Sequence, residues 1–237
     1  MQHTNCVVEN VSDKEEPVMI VNKECKKSLN ELNCHLHPLD TIASSARVAQ
    51  KNIDGIMTSH LHGKDCFTAN TVLQMNKLRF KDGKGDRKSF VLFLISTGLH
   101  KGLIAHYRGN RLHAFFHLCG TYHEHHSIFV NFLGTGTSWC GLRSALLKEF
   151  LSTTCHIEMQ VLGLFGKLLF GPWMHRLYMS SESEISHVDA IGEIRGVLQG
   201  LRERISDPMS LFWMTADFFG HDLNNSDRTL RALTELP

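Results

Sequence analysis

Residues 112–133 read LHAFFHLCGTYHEHHSIFVNFL, and the spacing of their apolar positions decides the fold class. Leu112, Phe115, Phe116, Cys119, Tyr122, His126, Phe129, Val130 and Leu133 recur at steps of three and four. That is the period of one buried helix face, since a half-buried strand would alternate at every second residue. Toward the C-terminus, GTGTS (134–138) predicts a turn, and Leu142, Leu146, Leu147 and Phe150 predict a second helix. From about Cys155 to Phe170 the chain is apolar on nearly all faces, which predicts a central helix ended by Gly171-Pro172.

The same period continues beyond. Ser181 and Glu184 stand at capping-box spacing ahead of Ile185, Val188, Ile191, Ile194, Leu198, Leu201 and Ile205. Asp207-Pro208 predicts the N-cap and first residue of a helix that Gly220 stops. Asn225-Ser226 predicts the start of the last helix, with Leu230 and Leu233 inward. The expectation from residue 66 onward is a mainly α, multi-helix domain.

The first 62 residues are less regular. Val18-Met19-Ile20-Val21 fits a short strand or a helix joined to KECKKSLNEL (23–32), while Thr41 to Asn52 fits a helix with Ile42, Ala46 and Ala49 on one side. IDGIMTSHLHG (53–63) shows little periodicity and marks the expected boundary between an N-terminal segment, 1–62, and the helical domain, 63–237.

The whole chain has 237 residues, 42% hydrophobic and 21% charged, with a net charge of +1. These values fit a chain that buries a core and exclude a globally basic nucleic-acid binder, while leaving room for a local basic patch. The longest apolar stretch, Val161 to Phe170, is interrupted by Lys167 and falls well short of the ~20 residues a membrane helix needs. The N-terminus lacks the basic and apolar regions of a signal peptide. Seven cysteines, an odd and scattered set, fit reduced thiols in an intracellular protein, nuclear or cytoplasmic.

Charge is unevenly distributed. Residues 1–63 carry net −2, residues 64–113 net +7 and residues 114–237 net −4. The basic stretch contains KLRFKDGKGDRK (77–88) and HYRGNR (106–111), and its candidate phosphate contacts are Lys77, Arg79, Lys81, Lys84, Arg87, Lys88, Arg108 and Arg111. A solvated surface is the plainer reading of the same residues.

Sixteen histidines are the compositional outlier. Only His113 and His117, an i,i+4 pair, could grip one ion from the long helix; Glu124 lies roughly 10 Å further along its axis. The HExxH order is missing, so zinc at His113 and His117 is an alternative and no cofactor is expected. Cys34 and His37 have no second ligand pair at finger spacing and read as a buried Cys and a hydrogen-bonded His. There is no G-x-S-x-G, no P-loop and no G-x-G-x-x-G behind a strand.

NCHLHPLD (33–40), ANTVLQMNKL (69–78), KDGKGD (81–86), YRGNRLHAFFH (107–117) and LGLFGKLLFGPWM (162–174) together resemble uncharacterised transposon-derived proteins of animal genomes. That group in turn resembles RNase H-like transposases of the hAT type, in which a carboxylate precedes a Cys-x-x-His motif and a helical insertion follows. Ser12-Asp13 and Cys34…His37 stand in that order here. The resemblance implies an incomplete RNase H-like α/β remnant before the helical domain. It also implies that Asp13 is a relic of one of three metal-holding carboxylates, the first and last of which have no match. The expected function is therefore a non-catalytic, transposase-derived helical module that binds DNA or a protein partner. The alternatives are a metal-dependent enzyme using His113 and His117, and an inactive structural fragment.

Overall fold

The computed structural model describes residues 36–58, 65–80, 85–107, 112–135, 141–179 and 187–236. Among these the protein is mainly helical: ten α-helices and no strand, with one isolated antiparallel bridge between Ala216 and Asp222. The helices are α1 (Leu36–Thr58), α2 (Phe67–Phe80), α3 (Arg87–Ser96), α4 (Leu112–Glu124), α5 (His126–Gly134) and α6 (Gly141–Phe150). They continue with α7 (Thr153–Phe165), α8 (Gly171–Met174), α9 (His187–Glu203) and α10 (Arg228–Thr234). Asp13, Cys34 and the expected strand at 18–21 lie outside the described residues. The helix expected over 41–52 is the middle of α1, whose Leu39 and Ala43 enter the same core as the later helices.

The apolar stripe that opened the sequence reading forms that core. Phe115, Phe116, Cys119 and Tyr122 of α4 are fully buried, as is Phe129 of α5. The stripe is not one helix, however. It breaks at His125, a buried residue with φ −106° and ψ 24° that caps α5. A one-residue interruption keeps the phase, so Phe129, Phe132 and Leu133 still face inward. It also delivers Phe132 to α3, where its ring lies 4.9 Å from Phe90 and 4.7 Å from Phe93.

Helix α4 crosses α7 backbone to backbone. A Cβ on Gly163 would sit 2.6 Å from the Cα of Gly120, so two glycines allow the approach. Beyond the crossing, the rings of Phe116 and Phe170 stack at 3.8 Å and 11°.

The expected stop at Gly171-Pro172 does not occur. Helix α7 runs into a π-helical turn (Gly166–Phe170), then α8 with Pro172 in its first turn, then a second π turn (His175–Met179). Proline lacks an N–H and orphans the carbonyl four residues before it. Here that carbonyl is Leu168 O, which accepts instead from the N–H of Phe218 at 3.1 Å. The wide π turn and an outside donor let the helical path pass through the proline.

Two further sequence expectations shift. Asp207-Pro208 opens a short 3₁₀ helix (Pro208–Trp213), not a long helix, and Gly220 sits in the following turn with φ 80°. The last helix is capped by Asp227, whose carboxylate accepts from the N–H of Leu230 at 3.0 Å, rather than by Asn225-Ser226. Leu230 and Leu233 do point inward, onto Leu164 and Leu168. The capping-box residues 181 and 184 lie outside the described residues.

Candidate functional site

The segments that carry the bases between 77 and 107 meet because three connections fold that stretch on itself. The N–H of Asp86, at the start of α3, donates to Leu78 O near the end of α2 at 2.8 Å. Arg79 Nη2 donates to Lys101 O at 3.2 Å. The N–H of Tyr107 donates to the Asn76 side-chain oxygen at 2.6 Å. The end of α2, the start of α3 and the loop 97–107 therefore share one corner.

On that corner Lys77, Arg87, Lys88 and Lys101 are exposed, and among the described residues none of them takes part in an ion pair. The described acid nearest in sequence is occupied elsewhere. Asp86 caps α3 by accepting from the N–H of Ser89, and its second oxygen faces Arg143 Nη1 at 3.5 Å. Among the described residues, acids of the net-negative C-terminal half form no ion pair with these bases. Their pairs are with Lys167, Arg176, Arg228 and the histidines 125 and 221.

Arg79 differs from its neighbours. It is buried, 8% exposed, beneath the corner, with its guanidinium 4.7 Å from the Phe80 ring centre. Among the described residues, Nε and Nη1 have no hydrogen-bond partner and no carboxylate pairs with it. Burial, with Arg87 nearby, pulls its pKa below the usual value. Arg79 thus places its positive charge largely underneath the surface, without a carboxylate partner among the described residues. Lys81, Lys84, Arg108 and Arg111 lie outside the described residues.

His113 and His117 are both exposed on α4, on the one face that their i,i+4 spacing shares. Among the described residues no group of three His, Cys, Asp or Glu side chains is arranged to hold a metal ion.

A different histidine group lies half-buried between helices. The ring of His156 (α7) stacks on His123 (α4) at 4.5 Å and meets His126 (α5) edge-on at 4.3 Å. His123 Nε2 donates to Ala232 O at 3.2 Å, and His126 Nε2 donates to Phe150 O. Near-parallel stacked rings aim their lone pairs side by side, not at a common point, so this group ties helices together instead of gripping an ion. Burial, then the charges of His123 and His126, push His156 down to about 4.

Sequence reading also missed a buried carboxyl pair. Asp54 of α1 and Glu158 of α7 are both almost wholly buried and hydrogen-bond to each other. They meet at the start of α2, where Asp54 accepts from the Phe67 N–H at 2.8 Å and Glu158 from the Thr68 N–H at 3.1 Å. Free N–H groups at a helix N-terminus favour negative partners, so the pair caps α2 from two other helices. Burial and the neighbouring Asp54 push the Glu158 carboxyl up to about 8. Neither carboxyl lines the groove between α2 and α6, about 370 Å³ in volume, whose walls include Phe67, Gln74 and Leu146. The signal for Glu158 was its place in HIEMQVLGLF (156–165): a charge in a helix apolar all round must be buried and satisfied.

No helix among the described residues is long and apolar enough to cross a membrane. Comparison of the chain with family models, curated proteins and solved structures yields no match.

Proposed function

We propose that the protein is a non-catalytic helical module that binds nucleic acid through the corner formed by α2, α3 and the loop 97–107. The observation that carries this reading is Arg79. A buried guanidinium without a carboxylate is expensive to hold, and among the described residues neither Arg79 nor the four exposed bases of this corner has an acidic partner. A phosphate chain laid across Lys77, Arg87, Lys88 and Lys101 would supply the missing negative charge. Proteins contact duplex backbones in this way without reading sequence.

The transposase-derived origin belongs to the same proposal and rests on the sequence resemblance. An intracellular setting, nuclear or cytoplasmic, is supported by the free, buried thiols of Cys66, Cys119 and Cys155. A protein partner in place of nucleic acid would have to present a comparable acidic surface. The non-catalytic part of the reading rests on the resemblance, in which Asp13 is the one carboxylate matched, and on the burial of the Asp54–Glu158 pair.

The test is titration of a labelled duplex with the wild type and with a Lys77/Arg87/Lys88→Ala variant at about 50 mM salt, where non-specific contacts are strong. Wild-type binding in the micromolar range, weakened at least tenfold in the variant, supports the reading. Equal binding by both, or none by the wild type, contradicts it.

A further inference from the structure

We infer that the corner prefers single-stranded over duplex nucleic acid, because it carries an exposed, fixed aromatic ring, His106, among its cations. This rests on the nucleic-acid reading above and adds the form of the ligand. His106 lies on the Phe80 ring with centroids 4.7 Å apart and planes tilted by 60°. Phe80 is half-buried against the core and has Arg79 over its ring, whereas His106 is exposed. Phe80 is thus the support and His106 the outward ring.

The ring is held in place. The next residue, Tyr107, is buried and its N–H is bonded to Asn76 of α2 at 2.6 Å; Ile104, two residues before, is also buried. Lys101 stands exposed on the same loop, with its carbonyl tied to Arg79. An aromatic surface beside backbone-binding cations is the arrangement that stacks an unpaired base while its phosphates are neutralised. A duplex keeps its base faces stacked inside and cannot use the ring. The same cations without His106 would bind both forms through phosphate alone.

The experiment measures fluorescence anisotropy of a labelled oligothymidylate and of a duplex of equal length at about 50 mM salt, with three full-length proteins. These are the wild type, His106→Ala and His106→Tyr. The expected result is tighter wild-type binding to the single strand than to the duplex. His106→Ala should lose about tenfold on the single strand with the duplex unchanged, and His106→Tyr should restore the loss. Equal wild-type affinity for both forms overturns the inference and leaves phosphate binding intact. So does a His106→Ala loss that is equal on both forms, or that His106→Tyr fails to rescue. Failure of the wild type to bind either form overturns both readings.

Discussion

Glu158 Oε2 accepts two hydrogen bonds from Thr68, one from its hydroxyl at 2.6 Å and one from its backbone N–H at 3.1 Å. The two residues are far apart in sequence, and this contact fastens the start of α2 to the middle of α7. Through Asp54 it also holds α1. One proton shared between the two carboxyls is what makes their burial tolerable.

That proton gives an alkaline limit to stability. Glu158 is raised from the ordinary carboxyl range to about 8 in the folded protein. The native state therefore holds a proton that the unfolded chain has lost. The contribution is complete below the unfolded value and disappears as pH rises toward 8. Thermal melts from pH 5 to 9 should show this contribution lowering wild-type Tm up to about pH 8 and levelling off above it. Glu158→Gln, which keeps an acceptor for Thr68 and can donate to Asp54, should flatten the decline. A variant that loses stability at all pH values equally contradicts the shared-proton account.

The histidine stack contributes an acid limit, beside His117 and His125, which burial lowers as well. His156 is depressed to about 4, so it stays neutral in the fold while the unfolded chain takes up a proton near 6.5. Its contribution is present above about 6.5 and is lost as pH falls toward 4. His123 is lowered too, by burial first, and adds to the same limb. In His156→Gln, Tm should fall less between pH 6.5 and 4.5 than in the wild type; an unchanged acid limb would exclude the stack as its source.

The α4–α7 crossing admits no added atom on Gly163. An alanine Cβ there would meet Gly120 Cα at 2.6 Å, Gly120 N at 2.8 Å and a Leu233 methyl at 2.8 Å. Backbone cannot move aside as a side chain can, so Gly163→Ala should cost at least the ~1–3 kcal/mol typical of overpacking. Gly192, inside α9, has nothing within 4 Å of its Cβ position. Gly192→Ala should therefore stabilise by about 0.5–1 kcal/mol through helix propensity alone. Denaturant melts of both variants check the contrast; a Gly163→Ala protein as stable as the wild type would contradict the helix crossing.

These cases mark how far the sequence carried. The stripe from Phe115 to Leu133 was legible because apolar period is a property of the chain itself, and it placed the α4 and α5 core correctly. The break at His125 was not, since a one-residue interruption leaves the period in phase. The passage through Pro172 was invisible for a different reason. It depends on the Phe218 N–H reaching Leu168 O, a contact fifty residues away in sequence that no local signal encodes. At the candidate site, charge counting located the basic stretch. It could not tell that Arg79, at the same spacing as its neighbours, turns inward while Lys77 faces solvent.

Arg79 supplies a prediction of its own. Its unpaired charge is costly in the free protein and should be relieved when a polyanion docks above it. A polyphosphate should raise wild-type Tm, and Arg79→Met should show a smaller rise. Since Met can fill the space beside Phe80 and Phe90, its Tm without polyanion should lie near the wild type. Equal polyphosphate shifts in the two proteins would remove Arg79 from the account.

The central claim is that exposed, unpaired bases at the α2–α3 corner bind phosphate, and its most direct measurement is the salt dependence of duplex affinity. Each neutralised phosphate contributes about 0.9 to the slope of log affinity against log salt. Between about 50 and 200 mM salt, Lys77/Arg87/Lys88→Ala should bind with a slope shallower than the wild type by roughly two to three. An identical slope in both proteins would contradict the claim, because the bases at this corner would then touch no phosphate.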